Sequence, residues 1–322
     1  MRRLLLLVWL SAFFAHSNAA AKWHYGEDNI MGTNIEVQVW AEEYDKGIAA
    51  IENVFEHMNA VNQMMSPYIS SSQLYTVNNY AASKPVVVDE ALFNVVEKAL
   101  KFSELSEGAF DITFASVGFM YDYRSRAKPS QEKINGALDA VNYRHVVLDS
   151  ASRSISFLHP DVKIDLGGIA KGYAVDISIN ALAKMGIEHA LVTAGGDTRL
   201  LGDRRGRPWI VGIRDPRNEE RQAVTLPLED IAISTSGDYE RFFEESGERY
   251  HHILSPKTGK SAHEVQSVSI IGPSSLMNDA LSTTVFVMGV HAGISLINTL
   301  PDYEAIVLDN SRKLHYSNGL TQ

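Results

Sequence analysis

The 322-residue sequence predicts an α+β fold of mixed sheets with packed helices. Three observations carry this. Stretches with apolar residues at every second position interleave along the chain with stretches spaced at three and four. No fixed repeat period orders them. The composition, 45% hydrophobic and 21% charged, supplies core for one or two domains without disordered or fibrous bias.

Taken in order, Arg2 and Arg3, an apolar run over 4–14 and small residues over 15–21 predict a secretory signal peptide cleaved near Ala19 to Ala21. The apolar run falls short of the roughly 20 residues a membrane-spanning helix needs. The expectation is an exported, periplasmic protein whose mature chain, 22–322, is one domain. Cysteine is absent, which excludes disulfides, thiolate metal sites, a cysteine nucleophile and lipid anchoring at a lipobox. Any metal is therefore held by oxygen or imidazole. The formal net charge of −10 gives no broad attraction to nucleic acid or anionic lipid.

Ile35, Val37 and Val39 alternate with polar residues as in a half-buried strand. A helix is predicted over 42–65, with Ile48, Ile51, Val54, Phe55 and Met58 on one face, and another over 90–105. The polar segment 66–79 between them reads as a loop near a site. Two short strands joined by a turn at 149–153 occupy 145–158. A strand over 162–166 should run into Gly167 and Gly168, followed at once by a helix that ends before Gly186. Further strands are predicted over 190–193, 209–213, 231–235, 250–254 and 305–308, and helices over 279–288 and 292–300. The stretch 203–221 is either a subdomain boundary or a long hairpin connection.

The strongest local signal is Asp165-Leu-Gly-Gly-Ile-Ala-Lys171-Gly, where glycines precede a helix whose free N–H groups can attract phosphate. It lacks the spacing and hydroxyl residue of a P-loop. Taken alone, such a turn is more often plain strand-to-helix geometry. A second pair, Gly195-Gly196-Asp197, would lie at the same end of a sheet if the intervening helix is a crossover; its bland reading is a turn capped by Asp197. Asp279 and Thr283 stand four apart, so on a helix both oxygens face one way, as a Mg²⁺ site needs; otherwise Asn278 or Asp279 simply caps an exposed helix start. His251 and His252 are neighbours in a predicted strand and point to opposite faces, so at most one lines a given pocket.

Together these runs make the chain resemble the FAD:protein FMN transferase family, the ApbE type. The resemblance covers Met31-Gly-Thr33, Ser-Glu-Leu-Ser-Glu-Gly-Ala-Phe-Asp-Ile-Thr over 103–113, and the runs at 165–176, 193–197, 234–239, 250–259 and 279–283. It implies FAD contacts from Met31, Tyr68, Ala109, Phe110, Asp111, Asp165 and Lys171. It implies Mg²⁺ ligation by the main-chain carbonyl of Gly168 and the side chains of Asp279 and Thr283. Ser255 stands before Pro256 where many members have Asp, and the lipoprotein cysteine of many members is missing.

The implied reaction is attack of a Thr or Ser hydroxyl of an acceptor protein on the FMN-side phosphorus of FAD, releasing AMP. His252, which occupies the family's histidine, is the candidate base, and His251 the structural partner. The implied acceptor is a redox protein subunit carrying a Thr/Ser flavinylation motif, met at the membrane by peripheral contact. Two other readings share the contacts: a metal-dependent FAD pyrophosphatase and a flavin-binding protein without turnover. Lys171, in the first turn of its helix, is expected to hold an anionic part of FAD; its bland role is a solvated helix lysine, and its loss is expected to change stability by no more than about 0.5 kcal/mol. Asp279 is expected to be a surface carboxylate worth about 1 kcal/mol as a cap.

Overall fold

β1 (Lys22–Ile30) and β2 (Thr33–Ala41) form an antiparallel hairpin in the computed structural model, which describes residues 22–321. The signal peptide expected over 1–21 lies outside the described residues. Met31 and Gly32, at φ 57° and 72°, make the two-residue turn, whose positive φ values suit the twist of the strands it joins. The alternating Ile35, Val37 and Val39 are buried, and α1 (Tyr44–Met65) covers them with Ile51, Val54 and Met58.

The segment 66–79 is not all loop: α2 (Gln73–Tyr80) forms there, capped by Ser72, whose Oγ accepts the Tyr75 N–H at 2.9 Å. Its polar composition hid a short helix that buries only Leu74, Val77 and Asn78. β3 (Val86–Val87), α3 (Glu90–Leu105), the short α4 (Ala115–Gly118) and α5 (Gln131–Ala137), and the β4 (Val146–Asp149) and β5 (Ser154–Phe157) hairpin follow. β3, β5 and β4 make a small three-stranded sheet.

The strand expected over 162–166 does not form. Val162, Ile164 and Leu166 are buried in alternation, as the pattern required. The backbone is held by a side chain instead of a ladder: Asn78 Oδ1 accepts the Ile164 N–H at 2.8 Å and Asn78 Nδ2 donates to its carbonyl at 2.9 Å. Period two reports which side chains are buried, not where the backbone's hydrogen bonds go.

α6 (Ala170–Lys184) leads to β6 (Ala190–Ala194), β7 (Asp197–Leu201), β8 (Trp209–Asp215), β9 (Asn218–Leu228), β10 (Ala232–Gly237), β11 (Phe242–Glu245), β12 (Glu248–His251), β13 (Val265–Gly272), α7 (Ser275–Met288), α8 (Val290–Ile297), β14 (Glu304–Asp309) and β15 (Leu314–Tyr316). The main sheet has eight strands in the order β1-β2-β6-β7-β10-β13-β14-β15, with every neighbouring pair antiparallel. Gly195 and Gly196 therefore turn a hairpin and do not end a crossover unit. The 203–221 stretch belongs to the β8–β9 hairpin, whose Ile213 packs on Ile233, Ile271 and Ile306 of the sheet. On the opposite face α6 and α7 cover the sheet, so all eight residues of β13 are buried. Among the described residues no helix is long and apolar enough to cross a membrane.

The starts of α6 and α7 are locked together. A Cβ on Gly172 would overlap the Ser275 carbonyl, so only glycine allows this approach. Each helix lends the other a carboxylate. Asp176 of α6 accepts the Ser275 N–H at 2.9 Å, the Leu276 N–H at 3.0 Å and the Ser274 hydroxyl at 2.8 Å; Asp279 of α7 accepts the Gly172 N–H at 3.0 Å. α7 thus begins at Ser274 as its cap and not at Asn278 or Asp279, which lie in its second turn, fully inside the protein.

Gly172→Ala is expected to destabilise the protein by about 2–3 kcal/mol through overpacking against main chain that cannot yield. Asp176→Ala should cost about 2 kcal/mol, because it strands buried donors at the α7 start. Gly136→Ala on α5, where a Cβ meets nothing within 4 Å, should stay within about 0.5 kcal/mol of wild type or stabilise. Urea unfolding of the three variants checks the ranking.

Candidate active site

Lys171 stands in the first turn of α6, and its Nζ lies 2.6 Å from Asp197 Oδ2 and 3.3 Å from both oxygens of Asp279. Asp197 opens β7 directly after the Gly195–Gly196 turn. A Cβ on Gly196 would overlap the Thr235 carbonyl, so the turn tucks close against β10 and fixes where Asp197 starts. Both carboxylates are almost wholly inaccessible, 2% exposed for Asp197 and 3% for Asp279. Burial, reinforced by the charge of Asp197, pushes the Asp279 carboxyl well above the ordinary range. Burial alone would lower the Lys171 ammonium, but the two carboxylates overcome it and hold the pKa above its ordinary value. When Asp279 is ionised the trio carries one negative charge more than Lys171 balances, a state that burial and Asp197 oppose until a cation offsets it. Lys171 is thus no solvated helix lysine, and Asp279 no surface cap: both belong to a buried ionic cluster that local sequence spacing does not show.

Thr283 follows Asp279 by one turn of α7, and a Cβ on Gly168 would lie 3.2 Å from Thr283 Oγ1 and 3.3 Å from Phe110 Cε2. The structure thus brings Gly168, Asp279, Thr283 and Phe110 together. Ser236 Oγ, 2.8 Å from Ser282 Oγ and 3.3 Å from Thr283 Oγ1, adds a further hydroxyl. These donors are all hard oxygens beside uncompensated negative charge, which suits a small divalent cation. Among the described residues no group of three His, Asp or Glu side chains is arranged to hold a metal. A cation here would complete its shell with main-chain, hydroxyl, water and ligand oxygens.

Around this centre the other expected contacts fall into two sets. Asp165 accepts the Gly167 N–H at 2.7 Å; burial raises its pKa, and that hydrogen bond with the positive charges of Arg241 and Lys171 opposes the rise. Tyr68 is 77% exposed and its ring meets Phe119 at 5.9 Å. Its hydroxyl is nonetheless pushed up, first by partial desolvation and then by the Asp165 charge. Met31 is half-buried at the β1–β2 tip, and Ala109 is half-buried beside the buried Phe110. Asp111 differs from the rest. Its Oδ1 accepts the Thr113 N–H at 2.8 Å and the Thr113 hydroxyl at 2.6 Å, and its Oδ2 accepts the Tyr143 N–H at 2.8 Å. The Asp111 carboxylate is spent on folding the 111–113 turn, and its carbonyl accepts the Phe114 N–H at 3.1 Å, so the side chain is not free for a ligand.

β12 ends at His251, the second residue of the strand expected over 250–254, so His252 lies in the bend beyond it and strand alternation does not set the two rings on opposite faces. His251 Nε2 meets the Ala262 carbonyl at 2.6 Å and its Nδ1 accepts the Ile253 N–H at 3.3 Å, an arrangement that fits the neutral ring. Burial pushes its pKa down to about 4. His252 has no partner for its buried Nδ1, and its pKa is pushed down to about 3 by burial and by the charges of Arg241, His251 and Lys171. It is a neutral imidazole with a free nitrogen. Two residues beside the expected ones carry no clear signal in the sequence: Asp197, whose local pattern is that of a turn cap, and Arg241, two residues beyond the family-like run at 234–239, whose charge acts on Asp165 and His252.

The ApbE family model matches residues 31–307. The chain is 33% identical over 310 residues to the FAD:protein FMN transferase of Treponema pallidum, covering 90% of this chain and 86% of that protein. It is 33% identical over 272 residues to the FAD:protein FMN transferase of Vibrio cholerae, covering 81% and 80%. It superimposes on the crystal structure of the ApbE protein from Thermotoga maritima with a TM-score of 0.86 at 33% identity, over 93% of this chain and 98% of that one. The flavin transferase ApbE from Vibrio cholerae aligns with a TM-score of 0.83 at 27% identity, over 94% and 99%.

Lys171→Ala is expected to cost about 3 kcal/mol or more, because it leaves Asp197 and Asp279 buried without their cation; the loss should shrink at acid pH, where the carboxyls can protonate. His251 gives the second expectation. Its folded pKa lies below the unfolded value, so the unfolded chain binds the proton first and stability falls as pH drops from about 6.5 toward about 4. The stability advantage of wild type over His251→Gln should narrow by about 3 kcal/mol across that window. Chemical unfolding at a series of pH values measures both effects.

Proposed function

The chain belongs to the ApbE family of FAD:protein FMN transferases, and from that premise we propose that it joins FMN, taken from FAD, to a Thr or Ser hydroxyl of an acceptor protein with Mg²⁺ and releases AMP. The observation that carries the proposal is the convergence of Gly168, Lys171, Asp279 and Thr283 where α6 and α7 meet, with the free nitrogen of His252 under the influence of the same charges.

Asp279, Thr283 and the Gly168 carbonyl would hold the Mg²⁺, which when bound offsets negative charge on the phosphate oxygens. Lys171 and the Gly172 N–H fix the Asp279 carboxylate from two sides, so its position is set before any ligand arrives. The α6 start presents its positive end to the anion. His252 accepts the proton of the acceptor hydroxyl as the new oxygen–phosphorus bond forms and the bond from phosphorus to the AMP oxygen breaks. Its lowered pKa keeps it unprotonated at neutral pH but makes it a weak base, so the base role requires the negative charge of the bound anion to raise that pKa. The acceptor proposed is a redox subunit carrying a Thr/Ser flavinylation motif at the membrane surface. The enzyme is proposed to be exported, with its mature chain starting between Ala19 and Lys22.

Incubation of the protein with FAD, Mg²⁺ and an acceptor domain should give a flavin-fluorescent acceptor band whose mass rises by one esterified FMN. Free FMN with an unlabelled acceptor would instead mark a pyrophosphatase, and neither product would mark a flavin binder. Asp279→Asn retains an oxygen for the Gly172 N–H but loses the charge. It should lower transfer by about 100-fold or more, with Thr283→Val weaker in the same direction. His252→Asn should cost about 100-fold or more in the chemical step. Wild-type rates in Asp279→Asn across a Mg²⁺ titration would remove the metal assignment.

A further inference from the structure

Lys171, the obvious cation of the site, is already committed: two carboxylates face its one charge. A pyrophosphate brought here meets three carboxylates, Asp165, Asp197 and Asp279, and needs positive charge that is not spent on the protein itself. The arginines of the neighbouring hairpins do not supply it. Arg217 forks onto Asp238 at 2.7 and 2.6 Å, Arg249 pairs with Glu244 at 2.8 Å, and Arg214 with Glu240 at 2.9 Å.

Arg241 is different. It is exposed, and among the described residues its guanidinium has no ion pair or hydrogen-bond partner. It lies just before β11, where its carbonyl accepts the His252 N–H at 3.1 Å, so its backbone is anchored beside the candidate base. Its side chain reaches the β1–β2 tip, with Nη2 3.3 Å from the position of a Cβ on Gly32, next to Met31. Its charge is felt at Asp165, Tyr68 and His252. The guanidinium therefore lies at the β1–β2 tip, near enough for its charge to act on Asp165, before the glycine turn, and on His252.

We infer that Arg241 is a phosphate-gripping residue of this site, which donates to the pyrophosphate of FAD and supplies the mobile positive charge that Lys171 cannot. The inference rests on the reading of the site as an FAD site. A guanidinium suits the task because its planar fork can hold two phosphate oxygens at once. Being unpaired without ligand, it has no protein contact to break before it binds one.

The test is flavin titration followed by fluorescence or calorimetry, with Mg²⁺ present, no acceptor protein, and the FAD checked by chromatography to be intact afterwards, on wild type, Arg241→Gln and Arg241→Lys. Arg241→Gln should keep the wild-type thermal midpoint and raise the Kd for FAD by about 10- to 100-fold, the loss of a charged hydrogen bond. Arg241→Lys should recover part of it. Affinity for riboflavin, which carries no phosphate, should not change. An FAD Kd equal to wild type in Arg241→Gln overturns the inference, and so does a loss that riboflavin shares in full. Failure of wild type itself to bind FAD would instead bring down the reading of the site.

Discussion

The contact on which the rest depends is the meeting of the α6 and α7 starts at Gly172. Two helix ends bring unsatisfied N–H groups together, and burying them without partners would be costly. The structure answers with a reciprocal exchange, Asp176 serving α7 and Asp279 serving α6. Asp279 is therefore fixed by the fold before it does any chemistry. Without the missing side chain at Gly172 the helices would stand further apart, and neither Lys171 nor Gly168 would reach α7.

That economy has an electrostatic consequence. Asp279 joins Asp197 around Lys171, and burial makes each unpaired charge expensive. The lysine neutralises part of the cluster and orients it, but it leaves an excess of negative charge close to Thr283 and Ser236. A hard cation relieves that excess, and a phosphate anion can then approach a site that would otherwise repel it. Lys171 acts mainly as a positioning group for the carboxylates. This explains how one lysine can be needed both for the fold and for the site.

Much of this was legible in the sequence, and the failures have physical causes. The α3 boundaries, the α1 face and the β4–β5 turn follow from periodicity alone. Periodicity also found the burial of 162–166, yet could not say that Asn78, far away in sequence, replaces a neighbouring strand. The α2 helix escaped because eight residues bury too little to leave a pattern. Asp279 and Thr283 were found as a pair from their spacing, but the same spacing describes an exposed helix start, and only the true cap at Ser274 moves them inside. Asp197 and the paired state of Lys171 are tertiary facts with no local signature. Asp111 shows the converse: a motif position is legible, while the use of its carboxylate for Thr113 and Tyr143 is not.

The antiparallel sheet also explains where the site had to be. An open parallel sheet offers a crevice at the carboxyl ends of its strands where the chain order reverses. This sheet has antiparallel neighbours throughout and offers no such place. Its alternative is a set of hairpin tips brought to one end. Gly195, at φ 62°, lets the β6–β7 turn press on Thr33 beside the β1–β2 tip, and Gly196 lets the same turn lie against Thr235 of β10. The tips are close because glycines stand where a side chain would hold them apart. Helix starts then enter from one face to supply N–H groups and carboxylates. The chemistry sits on main-chain turns that are individually small but mutually wedged, so the precision a phosphate site requires comes from packing between the turns.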